Sequence, residues 1–317
     1  MDREILVFFI TGFMDSGKTS LINETIYGSE FANAPEKKLI ICCEDGDEEY
    51  DEEKLKTVNA KLVMIENESD FNSETLRKIQ AEYDPDMVFI EYNGTWEVGP
   101  VYEMKMPKGW MMAQAIATVD ATTFEMYQNN MRAMMNEILF GAELVIFNRC
   151  DEDVNKRKFR GAVKAINRPA QIIYELKDGS VDTREEELPF DVDSDYIDLP
   201  DEDYAIWFTD CMDKPKKYEG KTIHFRALVY NPQDGSLKRN VFVPGRFAMT
   251  CCVDDIQFLG IKCKYDEAYT LGHRSWVDFT GRIKVEFAKE YRGLGPVFYA
   301  EKVEAAEKPE DELCYFT

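Results

Sequence analysis

Seven short apolar runs punctuate the first half of the chain: EILVFFI (4–10), KKLIICC (37–43), KLVMI (61–65), DMVFIEY (86–92), QAIATVD (114–120), ELVIFN (143–148) and QIIYEL (171–176). Their length and apolar character read as buried strands. Amphipathic stretches lie between several of them, including SETLRKIQAEYD (73–84) and the longer TTFEMYQNNMRAMMNEILF (122–140), which the spacing predicts as one helix. Phe124, Met131, Met134 and Ile138 recur in that segment at helical spacing, and core packing explains such a stripe better than a metal or partner site. Strands alternating with helices predict an α/β fold, a mostly parallel sheet with helices on both faces. Functional residues are then expected at the C-terminal ends of the strands.

The pattern changes after residue 176. Residues 177–203, KDGSVDTREEELPFDVDSDYIDLPDED, hold no sustained period and contain two prolines, so an acidic linker is expected there. Beyond it come KTIHFRALVY, NVFVPGRFAMT, FLGIKCKY, SWVDFTGRIKVEF and PVFYAEKV, five β-rich runs separated by Gly, Pro and Asp. They predict a small all-β barrel of the OB type over 204–317. The tail EKPEDELCYFT reads as loosely held. The expected division is thus 1–176, 177–203 and 204–317.

Composition narrows the function. The 317 residues are 44% hydrophobic and 13% aromatic, enough to fold as two domains with separate cores. A net charge of −23 argues against nucleic acid, whose binding needs clustered Lys and Arg. Much of that charge is local: residues 44–53, EDGDEEYDEE, carry eight carboxylates, and 178–203 carry twelve against one arginine. Both stretches read as solvated loops. The opening apolar run follows Asp2 directly and is too short to span a membrane, so a cytoplasmic protein without membrane insertion is expected. In that setting the eight cysteines read as thiols rather than a disulfide framework.

The chemistry begins at TGFMDSGKTS, residues 11–20. Gly12, Gly17, Lys18 and Thr19 fit GxxxxGK[ST] between a predicted strand and a helix, SLINETIYG, that starts at the lysine. Such a turn offers consecutive backbone N–H groups to an anion, so Gly12, Asp15, Ser16, Gly17, Lys18, Thr19 and Ser20 are expected to cradle phosphates. This is the P-loop NTPase arrangement. Glu91 ends an apolar strand, where a carboxylate can hold Mg²⁺ through water while Thr19 binds it directly. Lys18 would neutralise the phosphates, making Lys18, Thr19 and Glu91 the catalytic candidates.

Asn148, Arg149 and Asp151 follow another apolar strand in an N[KR]xD pattern. An aspartate can accept two hydrogen bonds from guanine's ring and exocyclic N–H groups, and adenine offers no such pair. GTP and GDP are therefore the expected ligands, with the Arg149 stem lying along the base.

These motifs resemble those of the CobW-like metal-centre GTPases, relatives of UreG and HypB. TGFMDSGKTSLIN is similar to the family's TGFLGSGKTTLLN, IEYNG to its glutamate-xx-glycine motif, ATVDATTF to its post-strand aspartate segment, and ELVIFNRCD to its guanine motif; INRPAQIIY is similar to its asparagine-proline run. The resemblance spans residues 4–176 and implies Mg²⁺-dependent GTP hydrolysis coupled to metal handling or delivery, with Zn²⁺ as a candidate cargo. One departure stands out: where the family carries GCxCC, this chain reads MIENESDFNSETL. Cys42 and Cys43 are the cysteines near that segment, and neighbours in a strand point to opposite faces, so ligation by both requires a turned backbone. A single thiolate with Glu44 or Asp45 is the other metal-binding arrangement, and buried structural thiols are the reading favoured over metal contact. Residues 44–53 also sit where a switch segment would be ordered by Mg²⁺ and the γ-phosphate.

The second half, through GRFAMTCCVDDIQFLGIKC and SWVDFTGRI, resembles the C-terminal part of permease subunits of the YcgQ type. Cys251, Cys252, Asp254 and Cys263 could form a thiolate-rich site there, although core packing accounts for barrel cysteines better. His224 and His273 have no assigned role. The partners implied are a guanine nucleotide and a protein client or permease partner. A regulatory scaffold, switched by GTP and carrying no metal, is the alternative; a P-loop kinase is a third reading without an evident acceptor site.

Overall fold

The computed structural model describes residues 3–46, 49–184, 188–232, 234–249 and 256–316. The chain divides into two compact units, one of Met1–Val154 and Ile166–Arg184, the other of Asn155–Ala165 and Glu185–Thr317. Among the described residues no helix is long and apolar enough to cross a membrane.

In chain order the elements through the first unit are β1 (Ile5–Thr11), α1 (Lys18–Tyr27), α2 (Ser29–Ala32), β2 (Lys38–Cys42), α3 (Glu52–Thr57), β3 (Ala60–Met64), α4 (Ser73–Tyr83), β4 (Met87–Glu91), α5 (Gly99–Glu103), β5 (Trp110–Asp120), α6 (Phe124–Asn130), α7 (Arg132–Phe140), β6 (Leu144–Cys150), α8 (Lys156–Ile166) and β7 (Gln171–Leu176). The strands form one sheet ordered β3-β2-β4-β1-β5-β6-β7, every pair parallel. This is the sheet of P-loop NTPases. The inner strands β1, β2 and β4 are largely apolar because both of their faces are covered. Val7, Phe9, Leu39, Ile41, Val88 and Ile90 face one core with Leu76 and Ile79 of α4. Ile10, Ile40 and Phe89 face the other, with Ile22 and Ile26 of α1 and Leu55 of α3. Alternate residues of one strand therefore serve two different cores.

Two expectations in this half need correction. The segment 122–140 is two helices, α6 and α7, broken at Met131 with φ −131° and ψ 38°. Asn129 and Asn130 are poor helix formers, and the buried set resumes out of phase at Met135, Ile138 and Leu139. Phe124 is buried as expected, whereas Met131 is exposed and Met135 fills the place expected for Met134. The acidic stretch 44–53 is also not uniformly solvated. Glu44 is buried. Asp51 is the N-cap of α3, accepting from the backbone N–H of Glu53 and Lys54, and Glu52 and Glu53 sit favourably in the first turn.

The second unit contains α8, then β8 (Tyr196–Asp198), α9 (Tyr204–Asp213), β9 (Thr222–Tyr230), β10 (Val241–Met249), β11 (Gln257–Gly260), β12 (Cys263–Lys264), β13 (Trp276–Ala288), β14 (Gly293–Ala305) and β15 (Leu313–Tyr315). Five strands close into a ring. β9 pairs antiparallel with β10 and β13, β10 antiparallel with β12, β12 parallel with β14, and β14 antiparallel with β13. Trp207 of α9 joins Phe225, Phe242, Phe279 and Phe298 in the core of this unit.

The tail is not loose, because β15 pairs in parallel with β10 and turns Cys314 and Phe316 inward. The stretch expected as linker supplies β8, parallel to β9, and places Ile197 and Leu199 in the barrel core. Helix α8 is fastened within the second unit: Arg160 donates to Asp213 at 2.7 Å and lies 3.7 Å from Asp210, and Lys164 pairs with Asp213 at 3.3 Å.

Candidate nucleotide site

The loop between β1 and α1 lies at the C-terminal edge of the sheet, where β4 and β5 flank β1. Register aligns Ile10 with Glu91, Cys42 with Glu91, and Asp120 with Asn148. Strand ends thus bring five separated sequence segments to one edge, at the point where the strand order reverses direction about β1.

Gly17 precedes α1 in the left-handed region at φ 92°, and a Cβ there would lie 2.5 Å from the Asn148 amide nitrogen. The close approach is used: Asn148 Nδ2 donates to the Ser16 carbonyl at 2.7 Å. Gly94, in the EYNG segment after β4, approaches the loop from the other side, and a Cβ on it would sit 2.1 Å from the Gly12 carbonyl oxygen. Neither position admits a larger side chain without moving the loop.

Lys18 is buried, and its ammonium donates to the carbonyls of Gly12 (2.9 Å) and Phe13 (2.8 Å) and to the Glu44 carboxylate. The Thr19 hydroxyl donates to Glu91 Oε1 at 2.8 Å, and the Tyr50 hydroxyl donates to Glu91 Oε2. Burial pushes the Glu91 pKa up, against the bonds from Tyr50 and Thr19 and the charge of Lys18. Asp15, Gly17, Lys18, Thr19, Ser20, Glu44, Gly46, Glu91 and Arg149 line a hollow of about 240 Å³. Ser16 is turned away, its hydroxyl 2.8 Å from that of Thr118 on β5.

Arg149 adopts φ 53° and donates to the Asp15 carbonyl (2.9 Å) and to Asp120 Oδ2 (2.7 Å). Its guanidinium clamps the phosphate loop to the end of β5, whereas only its stem was assigned a part from sequence. Burial acts to raise the Asp120 pKa, but the bonds from Thr122 and Arg149 outweigh it and hold the carboxyl below its usual range. Asp151 is exposed on the loop after β6, where Lys177 at the end of β7 pairs with it. The Oδ1 atom of Asn148 is buried and has no hydrogen-bond partner among the described residues.

A buried acceptor awaiting a donor, beside an amide-lined loop, suits a polar ligand. Thr19 and Glu91 supply the hard oxygen atoms that Mg²⁺ prefers, so that pair fits the ion. Cys42 and Cys43 are both buried. Burial raises both thiols, Cys42 to about 12 and Cys43 further, and Cys42 donates to the Glu44 carbonyl at 3.0 Å. Cys43 faces the core of one sheet side. Among the described residues no group of three or more His, Cys, Asp or Glu could hold a metal ion. Cys251, Cys252 and Asp254 lie outside the described residues. Cys263 is buried in the barrel core with its pKa raised by burial.

The glycine-loop motif named Gly12, Gly17, Lys18 and Thr19 in advance, and the end of an apolar strand named Glu91. Thr118, Tyr50 and Lys177 were missed as partners; Lys177 is 26 residues from Asp151 and carries no pattern that announces the pairing. Asp120 carried a faint signal as the last residue of ATVD.

A parallel sheet with a glycine loop and helix N-terminus at its C-terminal edge defines a nucleotide-binding domain. Residues 6–174, more than half of the chain, match the CobW/HypB/UreG nucleotide-binding domain. The chain belongs to this family. Residues 175–316 match the DUF1980 C-terminal domain. Solved structures with similarity include hydrogenase maturation factor HypB from Archaeoglobus fulgidus, 21% identical over 56% of this chain and 84% of that one, with a TM-score of 0.40. Zn(II)-bound YjiA GTPase from E. coli is 17% identical over 73% of this chain and 74% of that one, with a TM-score of 0.43. A Zn(II)-bound triple mutant of YjiA GTPase is 15% identical over 77% and 86%, also with a TM-score of 0.43. The search of curated proteins found no match.

Proposed function

We propose that the protein is a Mg²⁺-dependent GTPase whose turnover is coupled to metal handling. The observation that carries the reading is the meeting of Lys18, Thr19 and Glu91 in one hollow, with Asn148 bonded to the loop beside it. Residues 12–20 bind the phosphates through backbone N–H groups, and Lys18 offsets charge on the transferring group. Thr19 and Glu91 hold Mg²⁺, which when bound supplies further neutralisation of the phosphates. Asn148 keeps the base loop against the phosphate loop, and Asp151 reads the guanine edge. Arg149 fixes the relation between the two loops.

The metal-handling part rests on family membership, and its cargo ligands would have to come from donors other than the buried pair Cys42 and Cys43; Cys251 and Cys252 are the remaining candidates. The five-strand ring is read as a barrel of the OB type. Its mixed surface charges suit a protein client better than a nucleic acid. Isothermal titration tests the central reading: GTP should bind far more tightly than ATP, and Asp151→Ala should lose that preference by about 100-fold or more, the scale set by unpaired buried polar groups. Equal affinity for the two nucleotides, or unchanged GTP binding in the variant, counts against it. For the metal part, Zn²⁺ affinity should shift when GTP is added, since coupled ligands change each other's affinity by the same factor.

A further inference from the structure

An ammonium group has three N–H donors. Those of Lys18 are all engaged, by the Gly12 carbonyl at 2.9 Å, the Phe13 carbonyl at 2.8 Å and the Glu44 carboxylate. Two of these acceptors belong to the phosphate loop itself, and the third is an anion brought from the end of β2, 26 residues along the chain. The pair is almost fully buried, with side-chain exposures of 2% for Lys18 and 4% for Glu44. Glu44 is also incompletely satisfied: Oε1 is buried and has no hydrogen-bond partner among the described residues. Glu44 lines the same hollow as Gly17, Thr19 and Glu91.

A phosphate oxygen that is to bond Lys18 needs a donor from it, and one of the three existing partners must give way. The loop carbonyls are held by the backbone that forms the cradle. Glu44 is the partner on a separate segment, and a phosphate placed beside both Glu44 and Glu91 would meet two carboxylates in surroundings that screen charge poorly. We propose that Glu44 is a built-in anionic competitor for the nucleotide's phosphates. It satisfies Lys18 until a phosphate takes its place, and it sets affinity through the phosphates rather than through the base. Because Glu44 opens the segment 44–53, its displacement also reports phosphate occupancy to that segment. The unpaired Oε1 favours the exchange, since a departing carboxylate leaves a site where half of its hydrogen-bonding capacity was unused. This inference rests on the nucleotide reading above and adds to it a residue that weakens binding.

The test is equilibrium binding of GTP, GDP and guanosine to the full-length protein and to Glu44→Gln and Glu44→Ala. Both variants should bind GTP and GDP about ten-fold or more tightly than the original, the scale of one charge-assisted hydrogen bond, with guanosine binding unchanged. GTP binding that is unchanged or weaker in both variants overturns the proposal. So does a guanosine affinity that rises as much as that for GTP, because this would mark a general loosening of the site. Should those variants fail to fold, Glu44→Asp keeps the charge but shortens its reach, and it should tighten GTP binding by a smaller factor; no tightening overturns the proposal. If the original protein binds GTP and no variant improves on it, the competitor inference alone falls. If GTP binds to none of the proteins, the nucleotide reading falls with it.

Discussion

Glu91 is under two opposing demands. Burial disfavours its ionised form, yet the proposed Mg²⁺ site needs the carboxylate. A carboxyl whose pKa is raised in the fold binds more protons folded than unfolded, so its contribution favours folding at low pH and is lost as pH rises through the raised value. Metal binding has the opposite dependence: Mg²⁺ affinity should climb over the interval above the usual carboxylate range, as followed by titration at stepped pH. Glu91→Gln removes both effects. The variant should melt about 2–4 °C higher at neutral pH, corresponding to about 1 kcal/mol, and lose the Mg²⁺-dependent gain in GTP affinity. A lower melting temperature would mean that the bonds from Tyr50 and Thr19 need the charge. At this scale the sequence was legible where the pattern is local. Lys18 and Thr19 sit in one continuous motif, and Glu91 ends a clearly apolar strand. The partners of these groups were not legible, because Glu44, Tyr50 and Thr118 reach the site across 26, 41 and 102 residues. No periodicity encodes such contacts.

Elements were readable in proportion to their length and regularity. Each of the seven strands of the parallel sheet overlaps a predicted apolar run, most plainly β1, β2 and β4, which are covered on both faces. By contrast, β5 begins four residues ahead of its run and includes the exposed Met111 and Met112. The five runs of the β-rich half likewise hold the strands of the ring. The failures came from short or interrupted elements: the break at Met131, the three-residue strands β8 and β15, and helix α3 hidden within an acidic stretch. A three-residue strand is too short to display an alternation. Its effect on stability can still be large, and Phe316, which follows β15, packs so close to α8 that a Cβ on Gly161 would lie 2.5 Å from its own Cβ. Phe316→Ala should therefore destabilise the second unit by about 3–5 kcal/mol in chemical denaturation. Asp51→Ala, which removes the α3 cap, should cost about 1 kcal/mol. A loss from Phe316→Ala below about 1 kcal/mol would show that the tail is held by its backbone pairing alone.

At the scale of the whole molecule, each unit has its own core, and the nucleotide hollow is lined by residues of the first. A ligand that binds only the folded form raises the stability of the part that binds it. Calorimetry should resolve two transitions, with GTP and Mg²⁺ moving one of them upward. A single transition that shifts as a whole would mean that the two cores unfold together. The change of texture near residue 176 marked the presence of two units. It could not reveal that α8 groups with the second, because the charges that hold α8, on Asp210 and Asp213, come later in the chain.

That interleaving affects how the chain is made. When Arg160 and Lys164 leave the ribosome, the carboxylates that will receive them have not been synthesised; Asp213 follows Arg160 by 53 residues. At about 5–20 residues per second the Arg160–Asp213 pair can form only roughly 3–10 seconds after Arg160 is made. For that interval the helix exists but its tie to Asp213 does not, so the second unit cannot complete its assembly until α9 has been synthesised.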